Sequence, residues 1–266
     1  MSTVRTGPML GLVGQGVLVT ALARTVGLGV GGWLTAVTYG LVMCALLTRG
    51  LHRSGMAGLG PADRVTLIRA TLVGGVAALT VESFTRHVPA AVLAALAGVA
   101  IVLDALDGMV ARRTGTTSAL GARFDMEVDA FLILVLSVYA TRPVGGWVLA
   151  IGAMRYAYVA ATWILPWLRG SLPPRYWRKV VAATQGIILV FPAADVLPRP
   201  LLSAALAVSL ALLIESFGRD VRWLWRHRQP SPALAPAAVP RSRSARRDRQ
   251  KPFDQRRAQP TGAATR

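Results

Sequence analysis

The chain has 266 residues, 53% of them hydrophobic, with mean hydropathy +0.48 and formal net charge +18. Its apolar residues come in runs of about twenty, the length that crosses a bilayer, and this excludes a soluble globular domain. A single cysteine, Cys44, excludes an intramolecular disulfide, and the scattered His52, His87 and His227 form no Cys/His metal motif.

Taken in chain order, the first hydrophobic stretch covers about 8–23. It is short, contains Gly11, Gly14 and Gly16, and follows Arg5. Ala21-Leu22-Ala23 looks like a signal-peptidase site, but the weakly apolar run before it favours a retained helix. Paired with the second stretch, about 28–48, it reads as a packing hairpin. Six more stretches follow at about 64–84, 89–111, 120–140, 145–168, 180–197 and 200–218. From about 228 the composition turns to Pro, Arg, Ser, Gln and Ala, which cannot bury enough apolar surface to order itself. The expected organisation is an all-α polytopic membrane bundle: an N-terminal helix pair (1–56), a six-helix membrane domain (57–227) and a disordered basic tail (228–266).

The charge has a pattern. The chain holds 28 Arg and 2 Lys. One set of loops is rich in them: Arg49, Arg53 and Arg64; Arg112, Arg113 and Arg123; Arg169, Arg175, Arg178 and Lys179; Arg219, Arg222, Arg226 and Arg228. The intervening loops carry only Arg24, Arg86, Arg142 and Arg199. Membrane insertion keeps basic loops on the cytoplasmic side, so the rich set and both termini are expected inside, in a multi-pass plasma-membrane protein. Basic charge placed this way argues for anionic lipid rather than nucleic acid as the partner.

The chemistry concentrates in one segment, Asp104-Ala-Leu-Asp107-Gly108-Met-Val-Ala111-Arg112, followed after eight residues by Gly121-Ala-Arg-Phe-Asp125-Met-Glu-Val-Asp129. Asp104 and Asp107 share one helical face, and Asp125 and Asp129 share a face of the next helix. The short turn between these helices makes them antiparallel neighbours, so four carboxylates converge at the cytoplasmic edge of the membrane. Ionisable groups at such depth are functional by default, and crowded carboxylates call for a cation. Hard divalent ions take oxygen ligands and substrate phosphates, and a two-ion clamp suits phosphoryl displacement. Gly108 and Ala111 lack bulk beside the aspartate face, and Arg112 can fork onto a phosphate.

The pattern D-x2-D-G-x2-A-R-x8-G-x3-D-x3-D resembles the signature of the CDP-alcohol phosphatidyltransferase family at every fixed position. The wider resemblance covers about 60–220, so the expected fold is that family's six-helix core plus two N-terminal helices. It implies that an acceptor alcohol attacks the phosphorus of a CDP-alcohol, usually CDP-diacylglycerol, and that CMP leaves. It further implies that Asp104, Asp107, Asp125 and Asp129 hold two Mg²⁺ or Mn²⁺ ions. By the same resemblance Asp129 is the general base, and Asp107, Gly108, Ala111 and Arg112 hold the nucleotide. A homodimer is also implied. Pro61-Ala62-Asp63 with Thr66-Leu67-Ile68-Arg69 resembles the start of the family's first helix, where Asn is more usual than Asp63. Arg155, Arg178 and Lys179, with Thr184-Gln185, resemble positions lining the acceptor side, and such cations would favour a phosphorylated acceptor. Glu127 lies outside the pattern and reads as a peripheral charge.

Other readings weigh against this one. A membrane prenyltransferase would show two separate aspartate-rich motifs, whereas Asp195 and Asp220 stand alone in sequence. A cation transporter would place its acids near the bilayer midplane. A degenerate scaffold would not need the motif intact. For Arg178 and Lys179, simple interfacial placement explains the charge equally well. Arg155 sits mid-helix and so needs a partner or a cavity.

Overall fold

The computed structural model describes residues 6–55, 58–114, 118–173 and 175–228, with the backbone alone at positions 6, 107 and 110–114. Eight α-helices are present among them: α1 Thr6–Thr25, α2 Val30–Ser54, α3 Pro61–Glu82, α4 Ala90–Thr114, α5 Ala119–Val144, α6 Leu149–Ile164, α7 Tyr176–Ala194 and α8 Arg199–Arg226. No strand occurs among the described residues. Each predicted stretch corresponds to one helix. The stretch expected at 145–168 is subdivided: short 3₁₀ turns at Gly146–Val148 and Pro166–Arg169 flank α6. Pro166 explains the second break, since proline has no N–H to continue an α-helix.

Local sequence sets the helix ends. Pro61 opens α3, and the Asp63 carboxylate accepts a hydrogen bond from Gly60 N–H (3.0 Å). Ser118 caps α5 by accepting from Gly121 N–H (2.8 Å). Gly55 closes α2 in the left-handed conformation (φ 65°).

α3 is the central pillar. It packs against α1, α2, α4 and α5, while α7 bridges α4 and α5 and α8 closes against α7. Its apolar window is 72% buried, against 28% for α2 and for α8. The outer faces are apolar instead: Leu10 and Val17 on α1, Leu34 and Leu41 on α2, and Val208 and Ile214 on α8 are exposed. A soluble protein rarely shows so much unbroken apolar surface, whereas a lipid-facing bundle must. Four segments (α2, α3, Gly146–Ile164 and α8) are long and apolar enough to cross a membrane, and Ala90–Leu106 of α4 is a shorter apolar run. The fold is an all-α membrane bundle.

The N-terminal hairpin is built into this bundle: α1 and α2 both pack on α3. The Glu82 carboxylate, buried at the end of α3, accepts from Gly29 N–H (2.9 Å) and Gly32 N–H (3.3 Å) at the start of α2. It thereby satisfies orphan donors at a helix N-terminus, where negative charge is favoured. Tyr39 of α2 stacks on Phe131 of α5 with ring centroids 5.1 Å apart. On the far side, Gln185 of α7 is buried and donates to the Ser209 carbonyl (2.8 Å) while accepting from the Ser209 hydroxyl (2.7 Å), locking α7 to α8.

A close backbone approach joins α5 and α6 at Gly152. A Cβ on Gly152 would lie 2.5 Å from the Leu134 Cα, an atom that cannot swing aside. Gly152→Ala is therefore expected to destabilise the protein by about 1–3 kcal/mol, the usual cost of overpacking. Thermal melting in detergent checks this; an unchanged midpoint would mean that α6 can slide freely on α5.

Candidate active site

Three helices deliver charge to one point. Asp104 comes from α4, Asp125 and Asp129 from successive turns of α5, and Arg69 from the middle of α3. One oxygen from each of the three carboxylates lies within 4.8 Å of the others. The Arg69 guanidinium sits beneath them. Its Nη1 pairs with Asp104 Oδ1, and its Nη2 pairs with Asp125 Oδ1 and with Asp129 Oδ1 (3.0 Å). Nη2 also donates to the Asp125 carbonyl at 3.3 Å. The Arg69 side chain is 1% exposed, while those of Asp104, Asp125 and Asp129 are 44%, 37% and 41% exposed. The cluster thus has a cationic floor and an open anionic face.

This donor set fits a hard divalent cation. Oxygens held about 2.0–2.1 Å from one Mg²⁺ lie no more than about 4.2 Å from each other, so small side-chain adjustments bring the three carboxylates onto one ion. Among the described residues no second group of three or more His, Cys or acidic side chains is close enough to hold an ion. The paired aspartate motifs of a prenyltransferase are therefore not found there. Gly108 follows Asp104 by one turn on α4. The side chains of Asp107, Ala111 and Arg112 lie outside the described residues.

A glycine of the motif has a specific steric role. A Cβ on Gly121 would fall 2.0 Å from Asp63 Oδ1. Asp63 is buried and its other oxygen is held by Gly60 N–H, so it has little room to move. Gly121 lets the first turn of α5 lie against the first turn of α3, one turn ahead of Asp125.

The candidate acceptor residues separate. Arg155 on α6 pairs with Glu127 Oε1 (2.7 Å), and its Nη1 lies 3.1 Å from Met126 Sδ. Its mid-helix charge is thus met by a neighbour of the cluster on α5, and Glu127 stands outside the aspartate face. Arg178 pairs with Asp220 Oδ2 (3.4 Å) and donates to the Pro173 carbonyl. Asp220, isolated in sequence, therefore has a partner on α7. Lys179 is exposed. Gln185, expected to line the acceptor side, is instead consumed by Ser209 in the α7–α8 lock. Arg69, placed by sequence only in the resemblance to the family's first helix, had no expected role in the cluster. The signal was present, since an arginine in the middle of an apolar helix needs a partner as much as Arg155 does.

The model of the CDP-alcohol phosphatidyltransferase family matches residues 61–214, more than half of the chain. The chain belongs to the CDP-alcohol phosphatidyltransferase family. Neither a curated protein nor a solved structure matches it. Membership gives the reaction class, transfer of a phosphatidyl group from a CDP-alcohol, and the matched segment holds α3–α7 and with them the whole charged cluster. Arg69 and Asp63 are therefore parts of the CDP-alcohol phosphatidyltransferase domain, while α1 and α2 lie ahead of it.

Gly121→Ala is expected to cost about 1–3 kcal/mol through its collision with Asp63. Asp63→Ala in the same chain should recover part of the loss even though it removes a cap. Melting curves of the two single variants and the double variant decide it: if the double simply sums the two losses, the contact is not what constrains Gly121.

Proposed function

We propose that this CDP-alcohol phosphatidyltransferase moves the phosphatidyl group of CDP-diacylglycerol onto the hydroxyl of a phosphorylated alcohol, of the glycerol phosphate or inositol phosphate kind, and releases CMP. The observation that carries the reading is the meeting of Asp104, Asp125 and Asp129 in one open cluster within the family-matched segment. Asp104, Asp107, Asp125 and Asp129 would hold two Mg²⁺ or Mn²⁺ ions. Such ions supply neutralisation of the diphosphate and acidify an acceptor hydroxyl.

The chain's own residues do the rest. Gly108 and Ala111 leave room for the cytidine nucleotide, and Arg112 binds its phosphate. Asp129 takes the proton of the acceptor hydroxyl as that oxygen attacks the lipid-linked phosphorus. The new phosphorus–oxygen bond joins lipid phosphate to acceptor. The bond to the CMP oxygen breaks, and CMP leaves with the electron pair. Arg155 supports an anionic acceptor, because it is a part-buried mid-helix cation on α6 held by an exposed, exchangeable partner, Glu127 of α5. Arg178 and Lys179 add positive charge at the start of α7, where Arg178 is already shared with Asp220. The alternation of basic loops supports a plasma-membrane enzyme whose site faces the cytoplasm.

CMP release from CDP-diacylglycerol, measured against a panel of alcohols with the lipid product identified by mass, tests the reaction. Faster turnover with uncharged alcohols than with phosphorylated ones would refute the acceptor class. Asp129→Asn should lower kcat by about 10²–10⁴-fold while nucleotide binding persists, and near-normal turnover would remove Asp129 from the base role. Arg155→Ala should raise KM for the phosphorylated acceptor and leave kcat close to normal, the signature of lost uniform binding. An equal KM rise for an uncharged alcohol would show that Arg155 merely supports α5.

A further inference from the structure

We infer that Arg69 is a positioning residue, a built-in counter-cation that fixes the aspartate cluster from its buried side and sets the cluster's charge. The inference deepens the metal reading proposed above and rests on it for the cation part alone. Arg69 brings the formal charge of the three described carboxylates from −3 to −2, so that less of it is left for incoming divalent cations to offset. Arg69 reaches one Oδ1 on each aspartate and bridges α4 to α5 through α3. Because it is buried and the carboxylates are open, its hold lies on the side away from solvent and leaves the outer face for an incoming cation. Three carboxylates this close, with no cation between them, would repel one another and splay. Arginine suits the task better than lysine: its planar fork serves several carboxylates at once and stays charged when buried.

The test is a double-mutant cycle read by thermal melting, not by activity. In chelator, Arg69→Met is expected to lower the midpoint by on the order of 10 °C, as removal of one partner from a buried ion pair does. Asp125→Asn should raise the midpoint in the Arg69→Met background, where it removes charge that nothing neutralises, and not in the wild type, where it removes a partner of Arg69. Arg69→Lys should lie between wild type and Arg69→Met. Titration with Mn²⁺ should stabilise Arg69→Met about twice as much as the wild type, since the cation then replaces the missing charge.

An Asp125→Asn effect of the same size in both backgrounds would overturn the inference and leave Arg69 a packing residue. Equal Mn²⁺ gains in the two proteins would likewise overturn the charge-setting role. If Mn²⁺ stabilises neither protein and electron paramagnetic resonance shows no bound ion, the metal reading fails, and the chelator cycle still decides Arg69. Should Arg69→Met not yield folded protein, Arg69→Met/Asp125→Asn is expected to do so, and its failure would overturn the inference.

Discussion

A guanidinium withdrawn from water inside a membrane bundle costs several kcal/mol unless it is fully paired, and carboxylates packed together cost a similar amount unless something positive stands between them. The two terminal nitrogens of Arg69 meet the three aspartates and reduce both costs at once. Each aspartate side chain also sees solvent, so the cluster is anchored below and open above. The relative placement of α3, α4 and α5 depends on this junction. A shift of any one helix along its axis would strand at least one charge.

Much of this was legible in the sequence. The spacing of Asp104, Asp125 and Asp129 put them on facing sides of neighbouring helices, and hydropathy set the eight helices to within a turn or two at most ends. What the sequence did not reveal was which polar side chains meet across helices that are not adjacent in the chain. Arg69 lies 35 residues before Asp104 and 56 before Asp125, and only the tertiary packing of α3 against both α4 and α5 joins them. Gln185 failed for the same reason. A glutamine in an apolar helix must find a partner, but periodicity does not say whether that partner is a ligand or Ser209. Asp220 looked solitary because its partner, Arg178, lies on another helix.

The aspartate cluster and the Arg155–Glu127 pair are held in different ways. The aspartates are fixed from below and their helices are pinned by glycines, Gly121 against Asp63 and Gly152 against Leu134. Arg155 differs. It is only part-buried, and its partner Glu127 is exposed, so their pairing is the kind that solvent and competing anions weaken.

The Glu82 cap has a consequence for where the catalytic region begins. Family resemblance starts at residue 61, yet α3 owes much of its surroundings to residues that precede it. Leu18 fills the space over Gly75, Gln15 and Tyr39 fill the space over Gly74, and Glu82, besides its pair with Arg86, accepts from the N–H groups of Gly29 and Gly32. Excision of the first two helices would strip the central pillar of one flank and take from a buried carboxylate its two backbone donors. In this enzyme the extension ahead of the family-matched core is not an appendage but a wall.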